Sequence, residues 1–508
     1  MSADPSDSAH APLLPLSAPG LTRRRILQGG LAATFLAHVA GARAEDAGET
    51  SRPASLPTSA SAERPQPVPV PASGAQRLRA AEAPYPLKPQ GDATRLWCFE
   101  ETSPGPLLRV RKGEELAVML ENGISQPITL HWHGLRVPNR FDGVGGLTEE
   151  PLAPGASREI RFAPRDAGTY WYRSMVPALA AEQTERGLYG VLVVDEDEPP
   201  QVDADLVMVL DDWALGEDNQ IRPSFGTAED IGAVGRLGNW LTVNSEAPPE
   251  SFSIAPGGRV RLRLLNAANA RPISLRFDQL AVEVIAFDGQ PAEPFTPARN
   301  SLALLPGNRA DLIITCAPEA GVAGHVVAAL GAGLPLLTIK TDGAPSPSAN
   351  AAPIRLPGNN LPETIDLAAA LRADVVLEGG LPANASSPNA PSPNAPPPVD
   401  VSRIWRINGV AFTDARTPLF SAGQGKPVVL SFINKTEFLQ ALHLHGHTAR
   451  LLHVLDDGWE PYWQDTIAVP AGYTIRVAFI TEGAGQWMIS SAILDRLGGG
   501  MATWFTVT

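Results

Sequence analysis

Three stretches of the chain repeat one pattern of apolar and polar positions. Gly113, Gly257 and Gly425 are each followed by apolar residues three, five and seven places on: Leu116, Val118 and Leu120; Val260, Leu262 and Leu264; Val428, Leu430 and Phe432. Each run reaches an asparagine nine places after its glycine, at Asn122, Asn266 and Asn434. Alternation with a period of two marks a strand with one buried face, so the pattern predicts three related β units. Eighteen and twenty places after the glycine, the first copy carries His131 and His133 and the third carries His443 and His445; the middle copy has Leu275 and Phe277. Alternate residues of a strand share a face. Each imidazole pair is therefore presented to one side, as ligands on a shared metal would need.

Turn signals such as Pro104-Gly105-Pro106 and Pro306-Gly307-Asn308 punctuate the strands. In the middle unit Arg259, Arg261 and Arg263 alternate with Val260, Leu262 and Leu264, which predicts one wet face and one buried face. The chain of 508 residues is long enough for three domains with separate cores. They are placed at residues 78–197, 203–343 and 361–508, with a linker from Ala344 to Pro357. The third contains a perfect tandem, Ser387-Pro388-Asn389-Ala390-Pro391 followed by Ser392-Pro393-Asn394-Ala395-Pro396. That composition predicts a solvated low-complexity loop over 385–398.

The front of the chain reads as targeting. Thr22-Arg23-Arg24-Arg25-Ile26-Leu27 resembles a twin-arginine signal, an apolar stretch runs from Leu27 to about Val39, and Ala42-Arg43-Ala44 offers a cleavage site. Residues 1–44 are expected to be this signal, and the protein to be periplasmic. Residues 45–77, rich in Pro, Ser and Ala, read as a disordered tether. No apolar run is long enough for a transmembrane segment. A net charge of −14 argues against a nucleic-acid partner.

The ordered motifs resemble the multicopper oxidases, the laccase and bilirubin-oxidase superfamily. Leu130-His131-Trp132-His133-Gly134 and Leu442-His443-Leu444-His445-Gly446-His447 are similar to the first and third copper motifs. Gly168-Thr169-Tyr170-Trp171-Tyr172 with Gly187-Leu188-Tyr189-Gly190 is similar to the second, and Gly485-Gln486-Trp487-Met488 through Gly500-Met501 to the fourth. The resemblance spans about residues 78 to 508. It implies an all-β fold of three cupredoxin-type Greek-key β-sandwich domains. It also implies that His131 and His443 would ligate a type 2 copper, and His133 and His445 a coupled copper pair.

The departures fall on copper ligands. After Trp171-Tyr172 the family pattern calls for His-x-His, and the chain reads Arg173-Ser174-Met175. In the fourth motif His-Cys-His and a later His become Ser490-Ser491-Ala492 and Arg496. The His three places before His443 is Gln440. Seven implied ligands are missing. A blue copper centre needs a thiolate, but the only cysteines, Cys98 and Cys316, lie elsewhere in the sequence, and whether they pair is left open. The chain has nine histidines, two of them (His10 and His38) in the expected signal, against the ten that the four-copper apparatus uses.

In the family, electrons enter at the type 1 copper and pass along the Cys-His strand to three coppers where oxygen is reduced. That reaction is not expected here; if the chain is an enzyme, it is expected to be a copper-dependent oxidoreductase. The expectation is an exported, non-catalytic periplasmic scaffold or binding protein whose partner is a periplasmic protein or a small molecule. The alternative is a copper-binding protein or oxidoreductase with one residual site, built from His131, His133, His443 and His445 and taking at most about one ion. Arg173 is expected to plug the former cavity, bonded to backbone carbonyls or acidic neighbours. Asp142 matches an acidic residue beside the family's oxygen-reducing centre, but Asp142-Gly143 is also a strong turn pair, and the turn reading is preferred. Met175 reads as packing. Met501 matches a weak axial position with no copper to hold. Trp463-Gln464-Asp465-Thr466 reads as framework. Ser490 and Ser491 are hydroxyls for which the sequence supplies no base.

Overall fold

A computed structural model describes residues 74–349, 351–381, 399–453 and 458–508. The expected export segment, the tether as far as residue 73 and the tandem-repeat loop lie outside the described residues.

The repeated apolar positions build three cores. They lie on the strands Leu116–Asn122, Arg259–Asn266 and Pro427–Asn434. All nine side chains are at most 1% exposed, and each set belongs to a separate hydrophobic cluster. In every copy this strand pairs in parallel with an earlier one: Gln76–Tyr85, Ala204–Trp213 or Leu371–Gly379. It pairs antiparallel with a later one: Ser157–Phe162, Arg309–Thr315 or Thr474–Ile480. The facing sheet repeats the device, with Gly105–Arg111 parallel to Tyr189–Asp195, Glu250–Ile254 to Leu334–Thr341, and Ser421–Ala422 to Ala502–Val507. Parallel neighbours need long connections, so the chain crosses between sheets in the same way three times. The result is six sheets in three β-sandwiches, the all-β architecture expected from the alternation.

The three asparagines have a common task. Asn434 donates from Nδ2 to Phe438 O and Val469 O, both at 2.8 Å, and its Oδ1 accepts from Thr436 N at 2.9 Å. Asn122 makes the same set with Gln126 O, Leu152 O and Ile124 N, and Asn266 with Arg271 O, Leu304 O and Ala268 N. Each side chain closes the turn after its strand and ties it to a second segment, replacing backbone partners lost where the strand ends. Asn434→Ala should cost about 2–4 kcal/mol, because buried carbonyls and an N–H lose their partner. Chemical denaturation checks this; a loss below about 1 kcal/mol would show that water replaces the side chain.

One expectation is corrected. The face carrying Arg259, Arg261 and Arg263 is not wet: the three are 7%, 1% and 1% exposed. Arg261 donates to Glu196 at 2.7 Å and to Asp311 at 2.6 Å; Arg263 donates to Asp205 at 2.7 Å and Asp311 at 3.2 Å. Thr169, from the first sandwich, donates to Asp311 at 2.6 Å. The arginine face packs on a sheet of the first sandwich, and paired carboxylates take the place of water. Local periodicity registers the alternation but not what covers each face. Cys98 and Cys316 are buried in different clusters and unpaired.

Candidate metal centre

The first and third sandwiches each bring one short strand to a common seam. His131–His133 pairs with Gly168–Arg173, setting His131 opposite Arg173 and His133 opposite Trp171. Gln440–Leu444 pairs with Gly485–Ser491, setting His443 opposite Ser490. The four histidines are at most 1% exposed. His133 stacks on His443 at 3.6 Å between centroids, His131 lies 4.4 Å from His445, and His443 lies 4.6 Å from His445. The imidazoles expected from the two outer repeats therefore meet across the seam. Their middle counterparts, Leu275 and Phe277, fill the core of the second sandwich.

Partners fix the tautomers. His131 Nδ1 sits 2.6 Å from the Asp142 carbonyl oxygen, which can only accept, so Nδ1 carries the proton. His443 Nδ1 faces Asp465 Oδ1 at 3.2 Å and His445 Nδ1 faces Asp142 Oδ2 at 3.2 Å, with the same consequence. The Nε2 lone pairs of all three are thus available. Those of His131 and His443 have no hydrogen-bond partner, and that of His445 accepts from Ser490 Oγ at 3.1 Å. One ring nitrogen from each of His131, His443 and His445 falls within 4.8 Å of the others. Imidazoles whose far nitrogens donate to a carbonyl or carboxylate are arranged as metal ligands usually are.

His133 stands apart. It forms a second group with His443 and Asp465, but those atoms are already engaged. Thr466 Oγ1 donates to Asp465 Oδ1 at 2.8 Å, so it must accept from His133 Nε2 at 3.1 Å. Arg309 also donates to Asp465, at 2.6 Å. A cation there would have to break this set beside a guanidinium, so the first group is the better candidate.

Burial pushes His445 down to about 3, His443 down to about 4 and His133 well down. These three imidazoles are neutral at pH 7 and offer lone pairs. Burial alone would raise the Asp142 carboxyl, but His445 and His131 beside it outweigh that and hold it well below the usual carboxylate range. Burial likewise opposes ionisation of Asp465, and the adjacent Arg309 prevails and keeps it ionised.

Two carboxylates play a larger part than the sequence reading gave them. Asp142 does occupy a turn, closing the short helix Asn139–Phe141, yet its side chain is also 1% exposed and set on His445. Asp465, read as framework, holds His443 and Arg309. Neither lies in a periodic pattern that marks it. The base missing for Ser490 is His445, giving a buried hydroxyl–imidazole–carboxylate chain from Ser490 through His445 to Asp142. Met175 packs with Val144, Met488 and Leu497. Arg173 is 1% exposed but not bonded as expected: its Nε and Nη1 have no partner, and its guanidinium lies 5.0 Å from the Trp171 ring centroid. Burial alone lowers it to about 9, which leaves it charged at pH 7.

The positions that match the family's type 1 ligands form a different structure. Arg496 donates to Gln440 Oε1 at 2.7 Å, to Leu439 O at 2.6 Å and to Ala233 O at 2.9 Å. Ser491 Oγ donates to Ile493 O at 2.9 Å. Met501 belongs to the third core. His447, buried behind the site, uses both ring nitrogens on His445 O and Glu482 N. A separate cavity of about 380 Å³ opens on the second sandwich, lined by Asp212, Trp240, Leu334 and neighbours; it shares no residue with the histidine site.

The similarity to known proteins extends over almost the whole described chain. Residues 83–199, 205–329 and 386–508 each match a domain family described as multicopper oxidase. The Multicopper oxidase MmcO of Mycobacterium tuberculosis is 26% identical, over 92% of this chain and 93% of that one. A Copper resistance protein A homolog of Pseudomonas syringae pv. tomato is 28% identical over 40% of this chain and 41% of its own length. The crystal structure of a multi-copper oxidase from Pseudomonas thermotolerans superposes with a TM-score of 0.74 at 28% identity, covering 86% of this chain and 99% of that one. With three matching domains in order, three cupredoxin-like sandwiches and histidine pairs meeting at the seam between the outer two, the chain belongs to the multicopper oxidase family.

Proposed function

We propose that this member of the family does not carry out four-copper oxygen reduction and is a periplasmic binding protein with one residual copper site, held by His131, His443 and His445. The observation that carries this reading is the buried grouping of His131, His443 and His445, with one ring nitrogen of each within 4.8 Å of the others and each Nδ1 fixed by a carbonyl or carboxylate. Imidazoles suit copper. A bound copper ion would supply a Lewis acid or a one-electron centre. The side chains set its surroundings: Asp142 and Asp465 hold the rings in register, and Ser490 gives up its hydrogen bond to His445 when that lone pair is used.

Loss of the oxidase reaction is supported by the place of the type 1 ligands. Arg496 and Gln440 bond each other there, and no sulfur stands at Ser491. Export is supported by the arginine-rich front segment. Among the described residues no helix is long and apolar enough to cross a membrane.

A second reading, a scaffold with no metal, is favoured by Arg173, a buried charge on the strand next to His131. A guanidinium so placed raises the cost of a cation. Calorimetric titration separates the two. Copper should bind at about one ion per chain, and a His131→Ala, His443→Ala double variant should lose that binding. Arg173→His should bind more tightly than the parent. Uptake unchanged in the double variant would place the metal elsewhere, and no specific uptake by the parent would favour the scaffold.

A further inference from the structure

Arg173 presents a charge without a counterion. It is the one arginine among the described residues with two buried guanidinium nitrogens, Nε and Nη1, that lack a hydrogen-bond partner. The other deeply buried arginines are matched. Arg261 reaches Glu196 and Asp311, Arg263 reaches Asp205 and Asp311, and Arg309 reaches Asp465. Arg496 is bonded to three oxygens. This chain thus pairs buried guanidinium groups as a rule, and Arg173 departs from it.

No carbonyl, carboxylate or ring nitrogen lies within hydrogen-bond distance of Nε or Nη1. Arg173 sits on the central strand of its sheet, with His131 opposite on one side and Tyr189 opposite on the other. Directly opposed residues share a face, and so does Trp171, two places back. The guanidinium is therefore walled by rings. The Tyr189 hydroxyl is turned away to Asp211 at 2.6 Å, and His131 points its proton at the Asp142 carbonyl. Trp171 contributes another buried N–H without a partner, its Nε1. The cation–π contact offsets part of the cost of burial but leaves these N–H donors unmet. A buried cation with unmet donors and no carboxylate calls for a bound anion.

We propose that Arg173 is an anion-binding residue and that the seam holds one small inorganic anion of the halide class against its guanidinium. Size and charge select the class. The flanking residues are all 3% exposed or less, so a single-atom anion needs the least displacement of the ring walls, and a phosphate or an organic carboxylate needs far more. The donors are N–H groups alone, which suits a monovalent anion that needs no proton. The site stands on Arg173 and does not depend on the copper reading above.

The test uses the full-length protein treated with a chelator, so that no metal can hold a halide. Crystals grown in bromide should show an anomalous peak at hydrogen-bond distance from the Arg173 guanidinium. In solution, replacing gluconate by chloride at constant ionic strength should raise Tm by about 2–4 °C with saturation. Arg173→Met, which keeps the length of the side chain without the charge, should lose both effects. Should that variant fail to fold, the parent protein decides alone. Absence of a bromide peak at Arg173, or a Tm that is the same in chloride and gluconate, overturns the proposal.

Discussion

Copper-saturated protein should lack the intense blue colour of a thiolate-bound copper and should oxidise phenolic laccase substrates no faster than free copper in the same buffer. The intense colour of a blue centre comes from a thiolate bound to copper, and the same thiolate is the electron entry. Here the corresponding place holds Ser491, whose hydroxyl is bound to Ile493 O, and an arginine–glutamine pair at Arg496 and Gln440. The two cysteines are buried in the cores of other parts of the fold, with their thiols raised by burial to about 12 for Cys98 and about 11 for Cys316. Restoring one ligand should not restore the reaction. Ser491→Cys would supply sulfur, but Arg496 would still fill the space with a charge bonded to three oxygens. Visible absorption and oxygen uptake after copper loading check both statements. An intense thiolate-to-copper band in the parent protein, or turnover above free copper, would refute them.

Asp311→Ala should be among the most destabilising single changes in the chain. Asp311 accepts from Arg261, Arg263 and Thr169 in a seam where both arginines are 1% exposed. Removing one partner of a buried ionic set costs about 3–5 kcal/mol, because the remaining charges stay buried. Glu196 and Asp205 still serve the two arginines, which places the expected loss toward the lower end of that range. Replacing Arg261 and Asp311 together by apolar residues of similar volume should cost much less. Equilibrium unfolding compares the two. A loss below about 1 kcal/mol for Asp311→Ala would show that the network does not hold the first and second sandwiches together.

The sequence carried the fold well because the signals are local. Alternation at Leu116, Val118 and Leu120 and at its two later copies marks strands, and the asparagine nine places on marks their ends; both are properties of a few consecutive residues. The shared face of each His-x-His pair follows from strand geometry in the same way. Convergence of the two pairs is a different matter: it depends on how two sandwiches dock and came only from resemblance to a family. The roles of Asp142 and Asp465 were hidden for that reason, since each meets its imidazole across a seam or a sheet. The same limit explains the arginine face at Arg259, Arg261 and Arg263. Alternation shows that one face is polar, but whether that polarity faces water or a buried row of carboxylates is decided by a neighbour far along the chain.

The number of copper ions retained by the protein after refolding with copper in excess and removal of loosely held metal weighs most on this account. Three imidazoles grouped in one buried place, two of them with unpartnered ring nitrogens, predict about one tightly held ion per chain, lost in the His131→Ala, His443→Ala double variant. Three or four ions per chain, or none, would contradict it.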